Sequence, residues 1–230
     1  MALGAVQYFP AVDDADDGSF IPIAEFLLHV RQLGIVDRKL LAALETVPRT
    51  LFLGVEAGYG PLFSDRAQPI DCGQMNTPPL LAARAIQALA PTPRDRLLEI
   101  GTGTGYLSAV LSLLVRRVYT VDRFRTLVMA AQSRFETIGA DNITSIFADG
   151  TYGWAEKGPF DKIVVTASAE AVPKALIEQL STNGILVMPI GPADGLQTMT
   201  RFERVDRNLV ATPICPVRVV PLIPGKAARL

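Results

Sequence analysis

Leu97-Leu98-Glu99-Ile100-Gly101-Thr102-Gly103-Thr104-Gly105-Tyr106 decides how the rest of this chain is read. A short, mostly apolar run of strand character meets three glycines at alternate positions, and a helical pattern opens at Tyr106. Glycine lacks a Cβ, so such a turn lets backbone N–H groups come close to a ligand; a tight strand-to-helix turn also needs glycine on steric grounds alone. Both readings stay open on the loop by itself. The dinucleotide fingerprint is G-x-G-x-x-G, whereas here the third glycine falls one position early, at Gly105, and Tyr106 takes the expected place. That spacing disfavours a nicotinamide oxidoreductase.

Outward from this turn the chain alternates. Strands are expected at Leu97 to Ile100, Val118 to Val121, Ile143 to Phe147, Lys162 to Thr166 and Ile185 to Ile190. Helices are expected at Tyr106 to Val115, Thr126 to Ile138 and Pro173 to Leu180. Short apolar strands alternating with helices imply parallel pairing covered on both faces, a doubly wound α/β fold with a mostly parallel sheet. The tail breaks the rhythm, because Gln197 to Arg204 and Leu209 to Leu222 lack a helical period and read as antiparallel strands joined around Asp206 to Asn208. Upstream, Asp37 caps a helix whose stripe of Leu40, Leu41, Leu44 and Val47 stops at Pro48, giving an N-terminal helical extension. A Gly- and Pro-rich stretch runs from Gly54 to Pro79, and a helix starts at Thr77-Pro78-Pro79, with the threonine hydroxyl as cap, and ends at Ala90. We expect an N-terminal arm over residues 1–22 and a single domain over 23–230.

The 230 residues include 22 Lys or Arg and 23 Asp or Glu, a formal net charge of -1, and 49% are apolar. A chain so composed can bury a core and lacks the bulk positive charge that drives sequence-independent phosphate binding, so nucleic acid is not expected as a partner. Its longest apolar stretches are about ten residues, short of the roughly 20 that span a bilayer, so no membrane is expected either. No secretory leader is visible ahead of Asp13, Asp14, Asp16 and Asp17. Cys72 and Cys215 are far apart, without ligand spacing. They read as small buried hydrophobes in a reducing cytoplasm. A monomer is expected, with an oligomer left open.

Glu99-x-Gly101-x-Gly103-x-Gly105, followed by Asp122 at the end of the next strand, resembles the S-adenosyl-L-methionine loop of class I methyltransferases, which have a Rossmann-like fold. Asp149-Gly150, after the third strand, falls at the adenine position of the same pattern. Outside the loop the chain resembles the protein-L-isoaspartate O-methyltransferases, from about Leu40 to Leu222. Val47-Pro48-Arg49-Thr50-Leu51-Phe52 resembles the family's V-P-R-x-x-F. Asp65 to Pro79 resembles D-x-P-L-P-I-G-x-G-Q-T-I-S-Q-P, and Asp149-Gly150 with Gly153 and Trp154 resembles D-G-x-x-G-W. Phe160 to Ala167, Pro189-Ile190-Gly191-Pro192 and Val217-Arg218-Val219-Val220-Pro221-Leu222 continue in the family's order.

The resemblance implies methyl transfer from S-adenosyl-L-methionine to isoaspartyl-containing peptides or proteins, a repair reaction that needs no metal. It implies Thr77 as the hydroxyl that orients the acceptor, with the backbone from Gln74 to Thr77 between acceptor and cofactor. Cofactor contacts are implied at Gln74, Thr77, Glu99, Gly101, Thr102, Gly103, Asp122, Asp149 and Gly150: Gly101 and Gly103 for the methionyl part, Asp122 for the ribose, Asp149 with Gly150 for the adenine. Val219 to Pro221 would pair with an extended peptide. Read without the resemblance, Asp122 is also a helix cap and Thr77 a helix cap. The loop departs from the family at Met75, which takes the place of a threonine, at Asn76, and at Asp71 and Cys72. Those departures keep open a paralogue with a different peptide or small-molecule acceptor, and a cofactor-binding adaptor without turnover. His29, the only histidine, reads as structural.

Overall fold

The computed structural model describes residues 20–53, 63, 65–206 and 208–227. Three helices, α1 (Phe20–Gln32), α2 (Arg38–Thr46) and α3 (Arg49–Leu53), precede a two-stranded ribbon of β1 (Pro69–Ile70) and β2 (Gln74–Met75), and α4 (Pro79–Leu89) follows. Then come β3 (Arg96–Ile100), α5 (Tyr106–Ser112), β4 (Arg117–Asp122), α6 (Arg125–Thr137), β5 (Ile143–Phe147), β6 (Phe160–Val165), α7 (Lys174–Gln179), β7 (Leu180–Ile190), β8 (Gln197–Val205) and β9 (Asn208–Val217). The last seven strands form one sheet in the order β5-β4-β3-β6-β7-β8-β9. Pairs from β5 to β7 are parallel; β7-β8 and β8-β9 are antiparallel. The doubly wound expectation holds, including its antiparallel tail.

Alternation along each strand divides the core between the two faces of the sheet. Leu97, Val118, Val164 and Val187 pack with Leu44 of α2, Ile86 of α4, Val110 of α5 and Phe135 of α6. Leu98, Val121, Ile163, Val165 and Leu186 point the other way, onto Leu176 of α7 and Phe160. Full burial of each such aliphatic side chain is worth about 1.5–3 kcal/mol, so the central strands are apolar on both faces because both are covered. The chain leaves β3 for β4 and β5 on one side, then returns to β6 on the other. The carboxyl ends of β3 and β6 therefore border a crevice where the winding reverses.

Several boundaries differ from expectation. Residues 1–19 of the expected arm lie outside the described residues, and α1 begins at Phe20, inside the expected arm. Asp37 does cap α2, accepting from the N–H groups of Lys39 and Leu40. Thr77 does not cap α4: Pro78 occupies the cap position without a side-chain bond, and its carbonyl accepts the first helical bond, from Ala82. Helix α5 stops at Ser112, since Leu113 and Leu114 turn more tightly, onto the carbonyls of Val110 and Leu111. Strand β9 ends at Val217, not Leu222. Beyond it the Val219 N–H donates to the Gln197 side chain, and the chain crosses to Ser168, which bonds Val220 and Leu222. Both thiols are half-buried rather than core.

Gly105 precedes α5 with φ +92°, and a Cβ there would stand 2.7 Å from the Phe135 ring. Gly105→Ala is expected to lower the unfolding free energy by about 2–4 kcal/mol through backbone strain and overpacking. Urea denaturation reads this directly, and an unchanged midpoint would show that the ring can yield.

Candidate functional site

The crevice at the carboxyl ends of β3 and β6 opens into a cavity walled by the glycine turn, the β1-β2 ribbon and the C-terminal tail. Its floor is built by close approach. At Gly101, φ is +97° and a Cβ would stand 2.1 Å from Thr166 Oγ1; at Gly150 it would stand 2.4 Å from Ile100 Cγ2. The Thr166 hydroxyl lies 3.2 Å from the carbonyl oxygens of both Ile100 and Gly101, tying the end of β6 to the turn.

Under the turn lies a buried polar chain. Glu99 Oε2 accepts from the hydroxyls of Ser108 and Thr120, the latter at 2.7 Å. Thr120 spends its only hydroxyl proton there, so Thr102, 2.7 Å away, donates to Thr120. Glu99 Oε1 has no hydrogen-bond partner among the described residues. Burial pushes the Glu99 carboxyl up to about 7, against the pull of the Ser108 and Thr120 hydroxyls. Asp122 accepts from the N–H of Gly103 at 2.9 Å and from that of Phe124 at 3.0 Å. Burial raises its carboxyl from the ordinary range, although these N–H groups oppose the shift. Each Asp122 oxygen has a second lone pair for a ligand.

Gln74, Thr77, Glu99, Gly101, Thr102, Gly103, Asp122 and Gly150 all line the cavity; Asp149 is not among the lining residues. Its carboxylate accepts from the N–H and hydroxyl of Thr151 and, at 2.6 Å, from the N–H of Gly225. Burial would raise Asp149, but these bonds and the nearby Arg123 charge bring it below its usual value. Asp149 thus latches the tail. Arg123 Nε donates to the Gly225 carbonyl at 3.0 Å and fixes the same segment. Part of the backbone of Val219 to Pro221 is engaged: Val219 N–H bonds Gln197, the Val220 carbonyl bonds Ser168, and proline has no N–H. The expected peptide-pairing edge is therefore in part occupied by the chain itself.

Other lining residues carry no ligand signal of their own in the sequence. Arg49 is buried, with its guanidinium 4.5 Å from the Tyr106 ring centroid, and both residues line the cavity. Burial lowers Arg49 from its ordinary value, while the interaction with Tyr106 raises it. Met75 is 42% exposed at the rim. Asp71 is exposed and absent from the lining, so it puts no carboxylate against a bound anion; its charge acts on Arg134 and Cys72 instead. His29 is exposed on α1 and also absent from the lining. Among the described residues no cluster of His, Cys, Asp or Glu could hold a metal ion, and no helix is long and apolar enough to cross a membrane.

A glycine turn at the winding reversal of a parallel sheet, with a buried acid ending the adjacent strand, is the arrangement at which doubly wound α/β proteins bind nucleotide ligands. Residues 24–227 match the family of protein-L-isoaspartate(D-aspartate) O-methyltransferases. The chain belongs to that family and is a methyltransferase. It is 47% identical over 205 residues to the protein-L-isoaspartate O-methyltransferase of Xanthobacter autotrophicus, covering 89% of this chain and 93% of the relative. Identity to that of Ruegeria pomeroyi is 44% over 202 residues, covering 87% and 93%. A solved protein-L-isoaspartate O-methyltransferase superposes with a TM-score of 0.78 at 25% identity, covering 89% of this chain and 67% of that one. A putative enzyme of that kind from Plasmodium falciparum, solved with S-adenosyl-L-homocysteine, shares the fold with a TM-score of 0.73 at 23% identity, covering 86% and 97%.

Two measurements test the electrostatics and the latch. Glu99 titrates near 7 when folded against 4.5 as its ordinary value, so its contribution to stability is complete below pH 4.5 and is lost as pH rises through 7. In denaturation across that window, the wild type should lose stability relative to Glu99→Gln, and parallel profiles would contradict the shift. Asp149→Ala should release the tail and speed tryptic cleavage at the exposed Lys226, with unchanged cleavage showing that Arg123 alone suffices.

Proposed function

We propose that this methyltransferase moves the methyl group of S-adenosyl-L-methionine onto the free carboxylate of isoaspartyl residues in damaged peptides and proteins. The observation that carries the reading is the meeting, in one cavity, of the glycine turn with the Gln74 to Thr77 segment, in a chain nearly half identical to enzymes of that name. The lining fits the cofactor: the turn is open where a Cβ would collide, and Asp122 has free lone pairs for two vicinal hydroxyls.

When bound, the cofactor supplies a methyl group on a positively charged sulfur. In this reading Gly101, Thr102 and Gly103 line the methionyl part, with Glu99 and its hydroxyl chain beneath. Asp122 holds the ribose, and Gly150 gives the adenine a flat wall. Asp149 acts through the tail it anchors instead of touching the base. An isoaspartyl carboxylate, with an ordinary pKa near 4, is ionised at neutral pH, so the protein needs no general base. Its task is to align the acceptor oxygen behind the methyl carbon, exclude water and hold the two opposite charges as they cancel. Thr77 supplies an orienting hydroxyl; with Pro78 in the cap position, that hydroxyl is not spent on α4. Gln74 braces the ribbon, its side chain donating to the Cys72 carbonyl at 3.2 Å.

Methyl transfer from labelled cofactor to matched peptides containing isoaspartate or normal aspartate tests the reading. Transfer is expected to the isoaspartyl peptide alone. Thr77→Ala should lower kcat/KM by about tenfold to a hundredfold, the usual worth of one hydrogen bond to a charged group. Asp122→Ala should weaken cofactor binding. Cofactor binding without transfer to either peptide would overturn the isoaspartyl acceptor and point to another acceptor or to an adaptor.

A further inference from the structure

Asn76 stands where the family pattern has isoleucine, next to the Thr77 that the proposed function places on the acceptor. It lines the cavity and is 9% exposed. Side-chain amides are often ambiguous in orientation, but this one is fixed by its partner. The Gln68 N–H donates to Asn76 Oδ1 at 2.6 Å, and the Asn76 N–H returns a bond to the Gln68 carbonyl at 2.9 Å. An N–H needs an acceptor, so the oxygen must face Gln68 and the NH2 group must face away from it. That Nδ2 is buried and has no hydrogen-bond partner among the described residues. Native proteins rarely leave a buried donor unmatched, and an isoleucine at this position would leave none. The same clamp that orients the amide also closes the base of the β1-β2 ribbon, where Pro69 faces Met75 and Ile70 faces Gln74.

Resting on the proposed function, we infer that Asn76 is an acceptor-binding residue, its Nδ2 donating to a carboxylate oxygen of the isoaspartyl group. The neighbouring substitution gives this a physical context. Met75 replaces the threonine of the family pattern and removes one hydroxyl from the loop, while Asn76 adds an NH2 group a single residue later. The loop keeps a donor group, and its position moves from an exposed rim residue to a buried one. An N–H bond to an ionised oxygen is stronger than a neutral one, so the contact favours the charged acceptor.

Two variants separate this role from its rivals. Asn76→Asp keeps the oxygen that clamps Gln68 but replaces the donor with a negative oxygen. Asn76→Ile adds no charge and loses both donor and clamp. Both should raise the KM for an isoaspartyl peptide by about tenfold or more, as loss of a charge-assisted bond predicts. Affinity for S-adenosyl-L-homocysteine, measured by calorimetry, should stay within about twofold of the wild type, because adenosyl and methionyl contacts are untouched. A rise in KM in the Asp variant alone would mean charge repulsion, and a rise in the Ile variant alone would mean loss of the clamp. Either result overturns the donor role. Weakened homocysteine-product binding in both variants would move the contact to the cofactor and also overturn it. These outcomes differ from failure of the proposed function, in which the wild type itself transfers nothing to the isoaspartyl peptide.

Discussion

The Thr166 hydroxyl fills the space that a side chain on Gly101 would need, and it bonds to the carbonyls at the end of β3. The rest of the cavity depends on that approach. It holds the ends of β3 and β6 together where the winding reverses, so the backbone must leave β3 with positive φ, first at Gly101 and then at Gly103 and Gly105. Residues with a Cβ adopt such angles only with strain, and here Cβ atoms would also strike Thr166 and Phe135. The turn therefore presents bare backbone to the crevice, with Asp122 gripping the Gly103 N–H from the neighbouring strand.

Beneath that turn the protein keeps two acids out of water. Glu99 and Asp122 are both destabilised in their charged forms by burial, and the Asp122 charge further raises the tendency of Glu99 to hold a proton. Hydroxyls of Ser108 and Thr120 and N–H groups of Gly103 and Phe124 compensate only in part. A cavity with this internal balance favours ligand groups that are positively charged or donate hydrogen bonds. The sulfonium and vicinal hydroxyls of the proposed cofactor are such groups. Arg49 supplies the opposite sign by Tyr106, so the two polarities are held apart within one cavity.

The covering elements come from remote parts of the chain. The β1-β2 ribbon brings Gln74 to Thr77 from before the sheet, and the tail brings Val220 to Ile223 from after it. Neither is held by apolar packing alone. The ribbon is closed by Gln68 and Asn76, while the tail is fastened at Ser168, Gln197, Asp149 and Arg123. Polar fastenings of this kind fix position over a cavity without filling it.

The order of strands and helices was legible because its signals are local: apolar runs of strand length, glycines at fixed offsets, and an aspartate ahead of a helical stripe. The same local signals put Gly101, Gly103, Asp122 and Gly150 at strand ends, and strand ends of a doubly wound sheet lie on one edge. Thr77 and Asp149 show the limit. Each has a side chain able to cap a turn, and nothing within a few residues says that Pro78 takes the cap of α4 or that Gly225 reaches Asp149. Arg49, Asn76 and Thr166 stand inside legible motifs, but their relevance rests on contacts with residues between 8 and 66 positions away. Sequence determined the sheet, its winding and the glycine turn, because backbone geometry imposes those residue types locally. Tertiary structure alone decided which polar groups are spent on the fold and which face the cavity, because that division depends on burial and on partners distant in the chain.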